Sequence, residues 1–350
     1  MVKKLLLILF AVSVVTPALA QENATDTPDE KPDPQAAKGI LPQLGVLLEL
    51  PELYNPEGPL PPDGHVEYDR AFPFFGEDLV NRGYKLPLPI GLSIIAVTNI
   101  QDQTITDLNL SLGKGVVPPE DVELRPFPAV DIDSTSDTQS VQLKADLWIF
   151  PFLNVYGTIG KVTGDASVNV IIDLADAPTI CLPNPIPTRP PTCSDNTFNG
   201  SFLLPIRSQV DRTTATLGLT GAYSIGSWFT ALTAAYTDTF GDDVTDISTI
   251  NAGIRAGRRL FLGKGTLLTP FLGINYLDID TRVQGVSMLK DAFPDGDDLN
   301  VRYDVQLDNT DKYSGILGLG IGFTNGMGLQ FEWNKSEESE RFVLSGDFRF

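Results

Sequence analysis

Histidine is almost missing from this chain: His65 is the only one in 350 residues. Catalysis that uses imidazole as a base near neutral pH has a single candidate, in a proline-rich arm. No Ser–His or Asp–His set suggests itself, and the sequence reads as that of a non-enzyme. Basic residues are also scarce, 25 Lys and Arg against 45 Asp and Glu, for a net charge of −20. So acidic a chain is a poor partner for nucleic acid. Beyond residue 20 nothing approaches the ~20 continuous apolar residues that a membrane-crossing helix needs. Cysteine is limited to Cys181 and Cys193, in "CLPNPIPTRPPTC". With no histidine beside them they make a poor metal site, and no metal or cofactor is expected. In an exported chain they are expected to form a disulfide that pins a loop.

What is present begins with an export leader. Lys3 and Lys4, an apolar stretch over 5–15, and Ala18-Leu19-Ala20 before Gln21 are the three parts of a secretory signal. Residues 1–20 are therefore read as a removed leader. Residues 21–87 are acidic and rich in proline ("ENATDTPDEKPDPQ", "LPELYNPEGPLPPDG"), a composition that does not fold alone. Within them "ILPQLGVLLELPELY" is a candidate plug or an extended arm.

From 88 to 350 a period of two takes over. "YSGILGLGIGF" and "MGLQFEWN" flank Asn325-Gly326, a strong hairpin signal. Short turns near 151–153, 224–227, 262–265 and 324–326 alternate with long polar connections at 113–139, 173–212, 238–247, 280–312 and 335–340. On the outward faces Tyr223, Trp228, Phe261, Phe323, Phe348 and Phe350 fall at the short-turn ends. Tyr236, Tyr276, Tyr313, Trp333 and Phe342 fall at the loop ends. Two aromatic rings around an apolar band, with one tight rim and one long-looped rim, predict an all-β, antiparallel up-and-down barrel that crosses a membrane. The count is ten strands, or twelve if residues 40–80 add a hairpin. One irregularity stands out: Leu153, Val155 and Ile159 place apolar residues at odd positions, Ala166, Val168 and Val170 at even ones. A bulge near 160–164 would reconcile them.

The chain ends "SGDFRF", with Phe342, Leu344, Gly346, Phe348 and Phe350 on one face. This ending resembles the C-terminal signal of Gram-negative outer-membrane β-barrels, in which Phe342, Leu344, Phe348 and Phe350 match and Gly346 is a weaker member. The resemblance covers about 88–350. It implies Sec export, a place in the outer membrane among lipid and lipopolysaccharide, and recognition of the last strand by the barrel-assembly machinery. The run "DLWIFPFLNVYGTIGKVTGD" is similar to a hairpin of poorly characterised outer-membrane proteins, some labelled virulence-associated.

Inside such a barrel, parity places Thr214, Thr216, Thr220, Thr233, Thr249, Asn251 and Asn275 together with Lys144, Asp146, Arg255, Arg259, Glu332, Arg341, Asp347 and Arg349. These charges either line a narrow porin-like pore and bias ion passage, or pair and fill a small lumen. The competing expectation is a non-conducting surface or envelope protein acting through its long loops. The acidic stretches 131–137, 240–246 and 291–298 are candidate seats for divalent cations that bridge to lipopolysaccharide phosphates, against a plainly solvated acidic surface.

Overall fold

The computed structural model describes residues 68–350, apart from 82–85, 87, 128–129, 174, 176–178, 185–188, 196–199, 242–244, 264–265 and 324–325. The leader, the acidic segment as far as residue 67, and His65 lie outside the described residues. In chain order the elements are α1 (Gly76–Asn81), β1 (Ile90–Lys114), β2 (Arg125–Pro126), β3 (Val130–Phe150), β4 (Leu153–Asp173), β5 (Thr179–Leu182), β6 (Thr192–Asp195) and β7 (Ser201–Ile225). They continue with β8 (Trp228–Phe240), β9 (Thr245–Arg258), β10 (Leu260–Gly263), β11 (Thr266–Leu289), β12 (Leu299–Asn309), β13 (Tyr313–Phe323), β14 (Met327–Lys335) and β15 (Ser339–Arg349).

Ten of these strands close a ring in the order β1–β3–β4–β7–β8–β9–β11–β13–β14–β15, and β15 pairs back onto β1 with Arg349 opposite Gly91 and Ser339 opposite Gln101. Every pairing around the ring is antiparallel. The ten-strand count holds. Of the stretch 40–80, the described part from residue 68 is a turn and the short α1, with no strand. Alternation sets the faces. Along the barrel part of β11, from the short turn to the loop end, the outward positions include Leu268, Leu272, Ile274 and Tyr276, while Thr269, Phe271 and Asn275 are buried inside.

Beyond the long-loop rim the sheet does not stop. β1 runs on to Lys114 and β11 to Leu289, and β12 fits between them, pairing with both. Opposite, β4 and β7 stay paired out to Asp173 and Ser201. The sheet pieces β11–β12–β1 and β4–β7 share one apolar core of sixteen described residues, among them Leu108, Leu110, Leu112, Val168, Val170, Leu204, Leu299, Val301 and Val305. A folded head therefore stands where long loops were expected. Residues 280–312 are mostly strand, β7 begins at Ser201 within the 173–212 stretch, and 131–137 belong to β3.

The head turns on one local device. A register shift in β1 between Ile105 and Asp107 exchanges its two faces, as a one-residue bulge must. Below the shift Ser93, Asn99, Gln101 and Gln103 are buried; above it Leu108, Leu110 and Leu112 are. β4 behaves differently. Its pairing with β7 runs from Leu153 to Asp173 without a shift, so the bulge expected at 160–164 does not exist. Ala166, Val168 and Val170 stay on the inward face with Asn154 and Thr158. They are apolar because the interior they enter is the head core.

Cys181 and Cys193 stand opposite each other in the β5–β6 hairpin and form the expected disulfide. β5 adds to β1 in parallel, and Ile180 enters the head core. The disulfide therefore closes a lid stitched to the head.

Candidate functional site: the lumen and its charged layer

The lumen is built by inward side chains at every second position of ten strands. Near the short turns Trp148, Ala222, Phe229, Ala231, Phe271 and Ile316 form an apolar cluster that draws on β3, β7, β8, β11 and β13 and so reaches across the ring. The Phe271 ring lies on Gly318 of the neighbouring β13. A Cβ there would meet its Cζ at 1.9 Å, so only glycine lets the ring lie down across the interior.

On the other side of the lumen sits the charged layer. Arg349 donates from Nη1 to Asp146 at 2.7 Å, with both side chains wholly buried, and from Nε to the Leu88 carbonyl. Asn154 donates to the same carboxylate at 2.7 Å. This pair spans three strands, because Gly91 of β1 is in register with Arg349 of β15 on one side and with Asp146 of β3 on the other. A Cβ at Gly91 would lie 2.5 Å from both Arg349 Nη1 and Asp146 Oδ1. The ring is thus pinned, from inside, at the seam where its last strand meets its first.

Higher up, Arg255 makes a bidentate pair with Glu332 at 2.8 and 2.9 Å, and Asn334 donates to Glu332 at 3.0 Å. Lys144 is buried with Nζ 4.5 Å from the centre of the Tyr156 ring. Asp347 is buried two residues from Arg349 on the same face. Arg259 stands apart, donating to the Gly226 carbonyl at the β7–β8 turn. The sequence-predicted set thus separates into two ion pairs, the buried Lys144 and Asp347, and one turn-capping arginine. The partners Asn154, Tyr156 and Asn334, and the aromatic Trp148, Phe229 and Phe271, were missed. Their signal was parity: Trp148 shares its inward face with Lys144 and Asp146 in "KADLW".

A polar cavity of about 180 Å³ opens within the charged layer and a second of about 150 Å³ lies beside it, both lined largely by Thr, Ser, Asn and Gln, with Arg341 on both.

The outside of the ring is apolar between two aromatic belts. Leu217, Leu232, Ile254, Leu272, Leu317, Leu329 and Leu344 are exposed, with Tyr223, Trp228, Phe261, Phe323, Phe348 and Phe350 at one end and Tyr236, Tyr313 and Phe342 at the other. An apolar surface this extensive around a closed ring with a polar interior has only a bilayer as its solvent. The chain has the fold of an outer-membrane β-barrel.

In outer-membrane barrels the short turns usually face the periplasm. Solved barrels of that kind share a general likeness with this chain. OprG from Pseudomonas aeruginosa aligns at 10% identity over 76% of this chain and 98% of that chain, with a TM-score of 0.31. The outer membrane protease OmpT from Escherichia coli aligns at 10% identity over 74% and 97%, TM-score 0.33. The β domain of the Bordetella autotransporter BrkA aligns at 13% identity over 74% and 100%, TM-score 0.28. No family model and no curated protein matches the chain.

The head carries its own charges outside the barrel wall. Arg282 donates from Nε to Asp304 at 2.9 Å, and this hydrogen bond holds the Asp304 carboxyl below the usual carboxylate range. Lys114 pairs with Asp295 in the β11–β12 turn. Among the described residues no three His, Cys, Asp or Glu side chains gather as a metal site; Asp242 and Asp243 of the 240–246 stretch lie outside them.

Proposed function

We propose that the barrel is a closed membrane anchor that displays its head at the cell surface, where the head meets a surface partner or stiffens the envelope. The observation that carries this reading is the head core. Val170, Leu204, Leu299, Val301, Val305 and Leu307 have no exposed surface at all, and they lie across the route that an ion would take. The Trp148 cluster obstructs the periplasmic end in the same way. On this reading the pairs Arg255–Glu332 and Arg349–Asp146, with Lys144 and Asp347 beside them, fill the lumen as a charged layer instead of lining a water path. The polar cavities favour the other reading, a narrow porin-like channel for ions or small solutes. Conduction would need both apolar clusters to part. The same proposal includes export by the 1–20 leader and recognition of Phe342, Leu344, Phe348 and Phe350 by the assembly machinery. It treats the chain as a non-enzyme because its sequence holds one histidine.

Planar-bilayer recording of the full, heat-modifiable chain tests this directly. Silence is the expected result. Discrete current steps whose ion selectivity changes in Arg255→Gln or Lys144→Met would establish the channel instead. Trypsin added to whole cells should reach Lys290 in the head, and failure to release any head fragment from a cell that carries the barrel would argue against surface display.

A further inference from the structure

The larger polar cavity has a charge imbalance that its protein neighbours do not resolve. Its charged lining is Lys144, Arg255 and Arg341 against Glu332, three positive groups and one negative. Glu332 is committed to Arg255 by two hydrogen bonds. The carboxylates of Asp146 and Asp347 stand near Lys144, and Glu332 is also near Arg341. With Arg349 included, the layer holds four cations, Lys144, Arg255, Arg341 and Arg349, against three carboxylates, Asp146, Glu332 and Asp347. Lys144 is 3% exposed, and among the described residues neither it nor Arg341 makes a direct ion pair. A surplus buried cation is costly, and native structures pair it or supply an ion. The face of Tyr156 meets part of the need of Lys144, since a cation over a ring is attracted by its quadrupole, but more weakly than by a full counter-charge.

The rest of the lining points the same way. Thr220 Oγ1, Asn251 Nδ2 and Gln330 Oε1 border this cavity as buried polar atoms without partners, the last of them an acceptor. A hydroxyl can donate, and an amide nitrogen, an ammonium and a guanidinium only donate. Positive charge and a majority of donors converge on a space of about 180 Å³ inside the barrel. At about 30 Å³ per water it has room for a small ion and a few waters. The chain as a whole carries −20, so a surplus of positive charge here is not a reflection of composition.

We infer that this cavity is a binding site for a small inorganic anion, held by Arg341 and Lys144 with hydroxyl and amide donors around it. Such an anion completes the charged layer whether or not the barrel conducts. Phosphate and halide share the required chemistry, and the test separates them.

The anion is supplied while the full chain refolds from urea into detergent, at constant ionic strength made up with a bulky anion. Melting is followed with sodium phosphate in one arm and sodium bromide in the other. The expected result is a saturable rise in Tm in at least one arm, with a midpoint at least tenfold weaker in Arg341→Gln and unchanged in Arg207→Gln, which alters an exposed head residue. The arm that saturates names the anion. No saturable rise, or an equal rise in Arg341→Gln, overturns the site. Should Arg341→Gln fail to fold, anomalous scattering from wild-type crystals grown by the same route in bromide decides: a peak beside Arg341 and Lys144 supports the site and its absence, with no phosphate rise, overturns it.

Discussion

Pulling the pin at the barrel seam should weaken the whole ring. In Arg349→Met the Asp146 carboxylate keeps only Asn154 as a side-chain hydrogen-bond donor, and in Asp146→Leu the Arg349 guanidinium stays buried without its counter-charge. Removing one partner of a buried pair costs about 3–5 kcal/mol. With an m value of about 3 kcal/mol per molar urea, the unfolding midpoint should fall by about 1–2 M in either single variant. The double variant Asp146→Leu/Arg349→Met, which replaces the pair with apolar groups, should recover to within about 1 kcal/mol of wild type. Gly91 supplies an internal control. Gly91→Ala sets a methyl 2.5 Å from both charged groups, so it should be costly in the wild-type background and nearly harmless in the double variant. The assay is the fraction of folded, fast-migrating barrel on unheated gels across a urea series. A Gly91→Ala cost that is the same in both backgrounds, or singles within 0.5 M of wild type, would refute the pinned seam; the cycle isolates the coupling because the three residues touch.

Other expectations follow from the head and the wall. Leu307→Ala removes a fully buried core side chain and should cost about 2–5 kcal/mol, read as faster proteolysis of the head while the barrel remains heat-modifiable. Replacing both Cys181 and Cys193 with serine should remove roughly 2–4 kcal/mol from the β5–β6 lid, read as faster hydrogen exchange across 179–195 and not across β13–β15. Because Asp304 is held low by Arg282, its contribution is full above the usual carboxylate range and is lost as pH falls through its lowered value; Asp304→Asn should abolish that acid-triggered loosening of the head, measured by protease sensitivity against pH. Phe348→Ser should lower the amount of barrel inserted in the outer membrane, since Phe348 packs on Phe350 at the end of the outward face.

The barrel wall was legible because bilayer and lumen impose opposite demands at alternate positions, and β14 obeys them throughout, with Met327, Leu329, Phe331 and Trp333 against Gly328, Gln330, Glu332 and Asn334. The hairpin at Asn325-Gly326, the tight turns and both aromatic belts follow from that single rule. The head was not legible for the same reason. Leu299, Val301, Tyr303, Val305 and Leu307 alternate perfectly, but the intervening Arg302, Asp304 and Gln306 face water instead of lipid, so the stretch looked like an acidic loop. In β4 the inward face changes from polar to apolar at Ala166 while its parity stays constant, and that change of solvent imitated a change of register. The charged layer was found by parity, whereas its pairing needed the ring order: Arg349 and Asp146 are 203 residues apart and meet only because the first and last strands are neighbours.

The head core also dictates a timetable. Leu108, Leu110 and Leu112 enter the chain early, yet their neighbours Val301, Val305 and Leu307 on β12 follow some 190 residues later. Long-range pairing of this kind is slow to form and leaves sticky surface uncovered meanwhile. If the proposed export holds, a chain that emerges from its N-terminus crosses the periplasm with an apolar stripe it cannot yet bury, and it needs an escort until the closing strands arrive.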